Sequence, residues 1–227
     1  MTSLAHAGPT PGGSVLQAVE LACERAERVL FEGLSFAVAA GQCLHVAGDN
    51  GAGKTSLLRI LCGMLAPSSG QVRWRGRPIR EARDDYGTDL RYVGHLNGVK
   101  DDLTPAENLR MWAAMAAQAQ DPSRITSALQ RLSIERFAAV PCGRLSQGQK
   151  RRVGLARLML GRAAGVWILD EPFVALDPGG VATLNALIEE RVRAGGIVVL
   201  TTHQAWQAPV EVLRLDLTQG PGSGPVS

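Results

Sequence analysis

Three stretches of this chain carry residue types that bind phosphate or activate water, and their order is informative. Gly48-Asp49-Asn50-Gly51-Ala52-Gly53-Lys54-Thr55 fits G-x-x-x-x-G-K-[ST] at every defined position, with Ser56 next in line. Glycines there let backbone N–H groups close around phosphate oxygens, the start of the following helix offers its positive end, Lys54 reaches the outer phosphates, and Thr55 can ligate Mg2+. Val166-Trp167-Ile168-Leu169 closes on Asp170 and Glu171. An apolar run of that kind suits a buried parallel strand. Asp170 would then hold Mg2+ through water, and Glu171 would orient or deprotonate the water that attacks phosphate. Between these two motifs lies Leu145-Ser146-Gln147-Gly148-Gln149. The ordered trio points to hydrolysis of ATP with Mg2+, and the central pentapeptide separates this chain from other phosphate-loop proteins.

Such motifs work only if strands and helices bring them together. Strand-like runs at Val15–Cys23 and Leu30–Val38 precede a third, Cys43–Ala47, which runs straight into the glycine-rich loop. A helix is expected from Lys54 to Leu65, ended by Pro67 and Gly70, and then strands at Gln71–Arg75 and Leu90–Gly94 separated by polar turn residues. Thr104-Pro105-Ala106-Glu107 is a capping box opening a helix to about Ala117, and Asp121-Pro122 starts another that ends near Leu132. Strands return at Val166–Leu169 and Gly196–Thr201, with a helix from about Gly179 to Arg193 between them and Gly195-Gly196 as its stop. Val212–Leu217 reads as a last strand. The layout is an α/β phosphate-loop NTPase core, residues 14–95 and 158–218, interrupted by a helical lobe at 96–157 and flanked by loose tails at 1–13 and 219–227.

Composition narrows the class. With 227 residues, 45% hydrophobic and 20% charged, the chain can bury a sizeable core. A net charge of +3 with scattered basic residues is no nucleic-acid footprint. The densest basic cluster, Lys150-Arg151-Arg152, reads as a solvated helix face. Cys23, Cys43, Cys62 and Cys142 form no C-x-x-C pair, so buried free thiols are expected rather than zinc ligands or disulfides. No run approaches the ~20 apolar residues of a membrane span. Met1–Ser14 lacks the basic start and apolar centre of a signal peptide. Attachment to a membrane would therefore come through a partner.

Leu145–Gln149 resembles the signature motif of ABC-type ATPases, and the surrounding motifs follow that family's order. The resemblance implies a signature on the helical lobe, at a helix start, facing ATP held by the opposite subunit of a head-to-tail homodimer. Ser146 and Gly148 would offer that ATP a hydroxyl and a close backbone N–H. Ala175-Leu176-Asp177 matches the family's D-loop, with Asp177 near nucleotide, and His203 matches its switch histidine, a γ-phosphate sensor. Two positions depart from the wider family. Gly94-His95-Leu96 stands where a glutamine is expected, so His95 becomes a candidate for that role near Mg2+ or the attacking water. No aromatic lies between Val15 and Leu30 to stack on adenine; Arg25 can stack its guanidinium there or simply face solvent, and both readings stay open.

A narrower resemblance runs from about Leu21 to Leu217. Cys23-Glu24-Arg25, Leu30–Phe36, Tyr92-Val93-Gly94-His95, Glu107-Asn108-Leu109, Leu145–Leu155, Trp167–Phe173 and Gly196–Gln204 are similar to the ATP-binding subunits of the haem exporter of bacterial cytochrome c maturation, the A subunits of the Ccm system. That resemblance implies an integral membrane permease subunit as partner, alongside other cytochrome c maturation proteins. It places the chain peripherally at the cytoplasmic face of the inner membrane. Hydrolysis there serves haem delivery by releasing a haem-loaded chaperone. An ATPase subunit of another small-substrate ABC exporter, or a soluble ABC ATPase acting on nucleic acid or ribosomes, are the alternatives.

Overall fold

The structure, a computed structural model, describes residues 15–26, 28–115, 121–160 and 165–218. The tails expected at 1–13 and 219–227 lie outside them, as does Glu27. In chain order the elements are β1 (Val15–Arg25), β2 (Arg28–Ala39), β3 (Cys43–Ala47), α1 (Lys54–Leu61), β4 (Ser69–Trp74), β5 (Arg77–Pro78), α2 (Arg83–Asp89) and β6 (Leu90–Val93). There follow α3 (Pro105–Met115), α4 (Pro122–Arg131), α5 (Gln147–Ala156), β7 (Val166–Leu169), α6 (Pro178–Arg193), β8 (Ile197–Thr201) and β9 (Val212–Asp216). Short 3-10 turns at Glu135–Phe137, Cys142–Arg144 and Arg157–Leu160 flank α5.

Two sheets result. Antiparallel strands run in the order β2-β1-β4-β5, and parallel strands in the order β6-β7-β8-β3-β9. Alternation sorts the side chains of the parallel strands. Ile168 and Val199 point toward α1 and the antiparallel sheet, with Leu44 and Val46, whereas Trp167, Leu169, Val198 and Leu200 point toward the helices α3–α6. The sheet is thus buried on both faces, which is why its strands read as unbroken apolar runs.

In β1 the buried set changes phase, from Leu16 and Ala18 to Leu21 and Cys23. A one-residue slip would ordinarily turn the apolar set outward. Here the register shifts between Ala18 and Leu21, with Glu20 at a positive φ of 47°, and this bulge keeps both halves facing inward. Gly70 packs so tightly against the Glu20 carbonyl that any Cβ would collide with it. The glycine expected to end the first helix therefore serves β4 instead. Helix α1 stops earlier, at Leu61, where Gly63 takes a φ of 71° and its N–H bonds the Ile60 carbonyl at 2.9 Å.

The stretch expected as polar turn between β4 and β6 contains α2. Gly87 and Thr88 are weak helix formers, so propensity alone does not announce it. Tyr86 does the holding: it is buried, and its hydroxyl donates to the Leu61 carbonyl at 2.8 Å. The local caps behave as their sequences imply. Thr104 and Glu107 close a reciprocal box at the start of α3. Asp121 caps α4 through the Ser123 N–H, and Asp177 caps α6 through the Gly180 N–H at 3.1 Å. All four cysteines are free, with Cys23, Cys43 and Cys142 buried and Cys62 partly so.

Candidate functional site

The parallel order puts the chemistry at one edge. The glycine-rich loop leaves β3, the acid pair leaves β7, and His203 follows β8, which lies between them. The segment bearing His95 leaves β6, on the other side of β7. Carboxyl ends of parallel strands are where open α/β sheets gather ligands.

Gly48, Gly51 and Gly53 all adopt positive φ, at 142°, 83° and 98°. An added Cβ on Gly53 would press on Leu30 and Phe31 at 3.1–3.2 Å, so the loop is seated against β2 as well as bent. Asp49 accepts the Ala52 N–H through its carbonyl at 3.2 Å, tightening the turn around Asn50. Lys54 is buried, and its ammonium donates to the Gly48 and Asp49 carbonyls at 2.6 and 2.9 Å. Its charge therefore sits inside the cradle. Thr55 donates its hydroxyl to Asp170 Oδ2 at 3.0 Å, across 115 positions of sequence.

Asp170 is 2% exposed, and its Oδ1 accepts the Thr201 hydroxyl at 2.9 Å. The same Thr201 oxygen receives the Glu171 N–H at 3.0 Å. Glu171 has a φ of 49°, unusual for a residue with a Cβ. One of its carboxylate oxygens accepts the His203 backbone N–H at 3.1 Å; the other, Oε1, is buried without a hydrogen-bond partner, and His203 Nε2 lies 3.5 Å from it. An acceptor left unpaired indoors costs free energy unless something else satisfies it. Thr201 escaped the sequence reading, although a hydroxyl pair, Thr201-Thr202, just before His203 was the available signal.

Ser146 is the N-cap of α5, closing a box with Gln149: Gln149 N–H to Ser146 Oγ at 3.2 Å, and Ser146 N–H to Gln149 Oε1 at 2.8 Å. The seryl oxygen is exposed and keeps its own proton to donate. Gly148, one residue into the helix, lies against Ala175, in the stretch matched to a D-loop; a Cβ there would stand 2.7 Å from the Ala175 carbonyl oxygen. Asp177 accepts Arg152 as well as Gly180, and these bonds, Arg152 first, hold its carboxyl below the usual range.

The cluster Lys150-Arg151-Arg152 is no solvated face. Lys150 pairs with Asp101 at 2.8 Å, and Arg152 reaches Asp177 and the Leu132 carbonyl. Arg151 is 3% exposed and is bonded to the carbonyls of Gly94, Asp170, Glu171 and Pro172 and to Asn97. Local charge density suggested solvent; the carbonyls that converge on it come from other segments.

Arg25 ends β1, exposed at the turn into β2. Burial pushes the Cys23 thiol up, while the Arg25 charge and a hydrogen bond from Ser56 pull it back. Arg25 and the first turn of α1 thus share a neighbourhood. His95 is exposed, two residues beyond Val93, whose carbonyl accepts the Asp170 N–H at 2.7 Å.

Among the described residues no group of three or more His, Cys, Asp or Glu could hold a metal ion. Thr55 and Asp170 supply one hydroxyl and one carboxylate at a shared point, which is the sparse donor set of a hydrated Mg2+ completed by substrate phosphates.

The family model described as ABC transporter matches residues 31–174. The cytochrome c biogenesis ATP-binding export protein CcmA of Aromatoleum aromaticum is 48% identical over 205 residues, covering 90% of this chain and 96% of its own. A putative ABC transporter ATP-binding protein from Pyrococcus furiosus superposes with a TM-score of 0.77 at 24% identity, over 89% of this chain and 97% of that one. A dimeric post-hydrolysis state of the ATP-binding cassette MJ0796, bound to ADP and Pi, matches with a TM-score of 0.72 at 22% identity, over 83% and 88%. The last two likenesses speak for the fold.

Proposed function

Since this chain belongs to the ABC transporter family of ATP-binding subunits, and within it groups with the cytochrome c biogenesis ATP-binding export proteins, we propose that it hydrolyses ATP to drive haem delivery in cytochrome c maturation. The observation that carries the catalytic part is the meeting of Thr55 with Asp170 at 3.0 Å, beside a Glu171 held against His203. In this reading the N–H groups of Gly48 to Ser56 cradle the phosphates, and Lys54 swings from the loop carbonyls to the β- and γ-phosphates. Asp170 and Thr55 would hold Mg2+, which when bound would neutralise phosphate charge. Glu171 turns its unpaired Oε1 on the attacking water, and His203 senses the γ-phosphate. Glu171→Gln keeps the shape and removes the base. Turnover should fall at least a hundredfold with ATP affinity retained; a mutant turning over at the wild-type rate would overturn the assignment.

Ser146 and Gly148 are assigned to the ATP of a second copy in a head-to-tail dimer, as the family resemblance implies; the exposed Ser146 at the start of α5, where helix N–H groups can meet an anion, supports it. The core and lobe divide at 95/96 and 157/158 in the same reading. No described helix is long and apolar enough to cross a membrane. A permease subunit at the cytoplasmic face of the inner membrane is the proposed anchor. A cavity of about 1180 Å³, lined by Leu65, Ala66, Pro67, Ile79 and Tyr86 among others, supports it. It shares Gly87 and Leu90 with a smaller hollow bounded by Trp112, Met115 and Arg157. The larger hollow is mixed, with Glu20, Arg80, Glu81 and Arg83 around its apolar residues, and an apolar surface rimmed by polar groups suits a protein segment from the permease. Co-purification of an integral membrane protein with the tagged chain tests this; recovery of the chain solely in the soluble fraction would count against it.

A further inference from the structure

Arg151 belongs to α5, one turn past Ser146, yet its guanidinium serves three other places. Nε donates to the Pro172 carbonyl at 3.1 Å. One terminal nitrogen donates to the Gly94 carbonyl and to Asn97 Oδ1, both at 3.0 Å. The other donates to the Asp170 and Glu171 carbonyls at 3.2 and 2.5 Å. A guanidinium has five N–H donors, and all five are used. Three of the acceptors are consecutive carbonyls, so the fork closes over the turn that leaves β7.

That turn is the strained one. Glu171 sits at a φ of 49°, where a Cβ crowds the following carbonyl. Such a conformation persists only when neighbours over-determine it. Both backbone polar groups of Glu171 are tied, its N–H to Thr201 and its carbonyl to Arg151. The other two acceptors, Gly94 and Asn97, flank His95 on the segment leaving β6. We propose that Arg151 is a positioning residue that clamps the Glu171 turn to the signature helix and to the segment around His95. A displacement of α5 is thereby felt at the carboxylate facing the water.

Burial lowers the Arg151 guanidinium to about 10, against the opposing pull of Asp170 and Glu171, so the clamp stays charged at neutral pH. A lysine cannot replace it: one ammonium has three donors at a single point and cannot span the carbonyls of Gly94 and Pro172 together.

The inference rests on the reading of Glu171 as the residue that activates water, and the test separates the two. In the full chain, Arg151→Lys and Arg151→Ala are compared with wild type and Glu171→Gln for ATP affinity, KM, kcat and helicity. Arg151→Lys is expected to lose about tenfold or more in kcat, with KM within about threefold, because a small displacement of a catalytic group acts on the chemical step. Millimolar guanidinium, far below denaturing concentrations, is expected to restore part of the turnover of Arg151→Ala, which a loss of general packing would not allow. Wild-type kcat in Arg151→Lys, or a loss confined to KM, overturns the clamp. If Glu171→Gln itself hydrolyses ATP normally, the site reading has failed instead.

Discussion

Gly148→Ala pits two opposed effects of known size against each other. The added methyl would stand 2.7 Å from the Ala175 carbonyl oxygen, so one side must move about 0.7 Å to reach an ordinary contact. Ala175 has little freedom to yield, since it already occupies a left-handed φ of 63°. Crowding of this kind costs about 1–3 kcal/mol. Against it, alanine is favoured over glycine in a helix by up to about 1 kcal/mol, less here because position 148 lies in the first turn of α5. The net loss of stability should be about 0–3 kcal/mol, at most roughly ten degrees in Tm, and the chain should stay folded. Activity should suffer more. The displacement falls between Gly148 and Ala175, and in the proposed ATP site a shift of most of an ångström costs about tenfold or more. ATP hydrolysis at saturating nucleotide and thermal unfolding by circular dichroism, on the same preparation, decide the matter. Wild-type turnover with unchanged Tm would mean that the helix and loop separate freely, and the close approach would have no consequence.

Arg25→Ala should weaken ATP binding about two- to fivefold if the guanidinium stacks on adenine, the worth of an exposed cation–π contact; equal affinity by fluorescent-nucleotide titration would return Arg25 to solvent. His95→Ala should leave nucleotide affinity intact and lower hydrolysis coupled to the membrane partner, read as reduced cytochrome c formation in cells; full maturation would remove His95 from the mechanism. Acid should destabilise the fold through His45. Burial, aided by the Arg214 charge and opposed by the Thr202 backbone, Glu171 and Asp216, lowers its imidazole below the ordinary 6.5, and its Nε2 is buried without a partner. The unfolded chain therefore binds the proton more readily, so stability should rise as pH climbs through the folded-state value toward 6.5 and level off above it. His45→Gln should flatten that slope in denaturant titrations between pH 5 and 7; an unchanged slope would place the titrating group elsewhere.

What the amino-acid order determined by itself is whatever depends on neighbours along the chain. Gly48–Thr55 is recognisable because phosphate is gripped by consecutive N–H groups. The caps at Thr104 and Asp121 are legible because a side chain can bond the backbone only two or three residues away. Apolar runs such as Val166–Leu169 announce a sheet covered on both faces. The family resemblance likewise rested on contiguous words. Tertiary structure decided everything that needs a distant partner. Helix α2 exists because Tyr86 finds the carbonyl of Leu61, and Gly70 belongs to a strand because of the bulge at Glu20. Thr201 became part of the acid pair's surroundings only when β8 lay beside β7. Lys150-Arg151-Arg152 is the sharpest case. Three charges in a row look wet, because burying a charge alone is prohibitive. Arg151 goes inside because five acceptors from the segments that follow β6 and β7 arrive at one point, a convergence that no local pattern encodes.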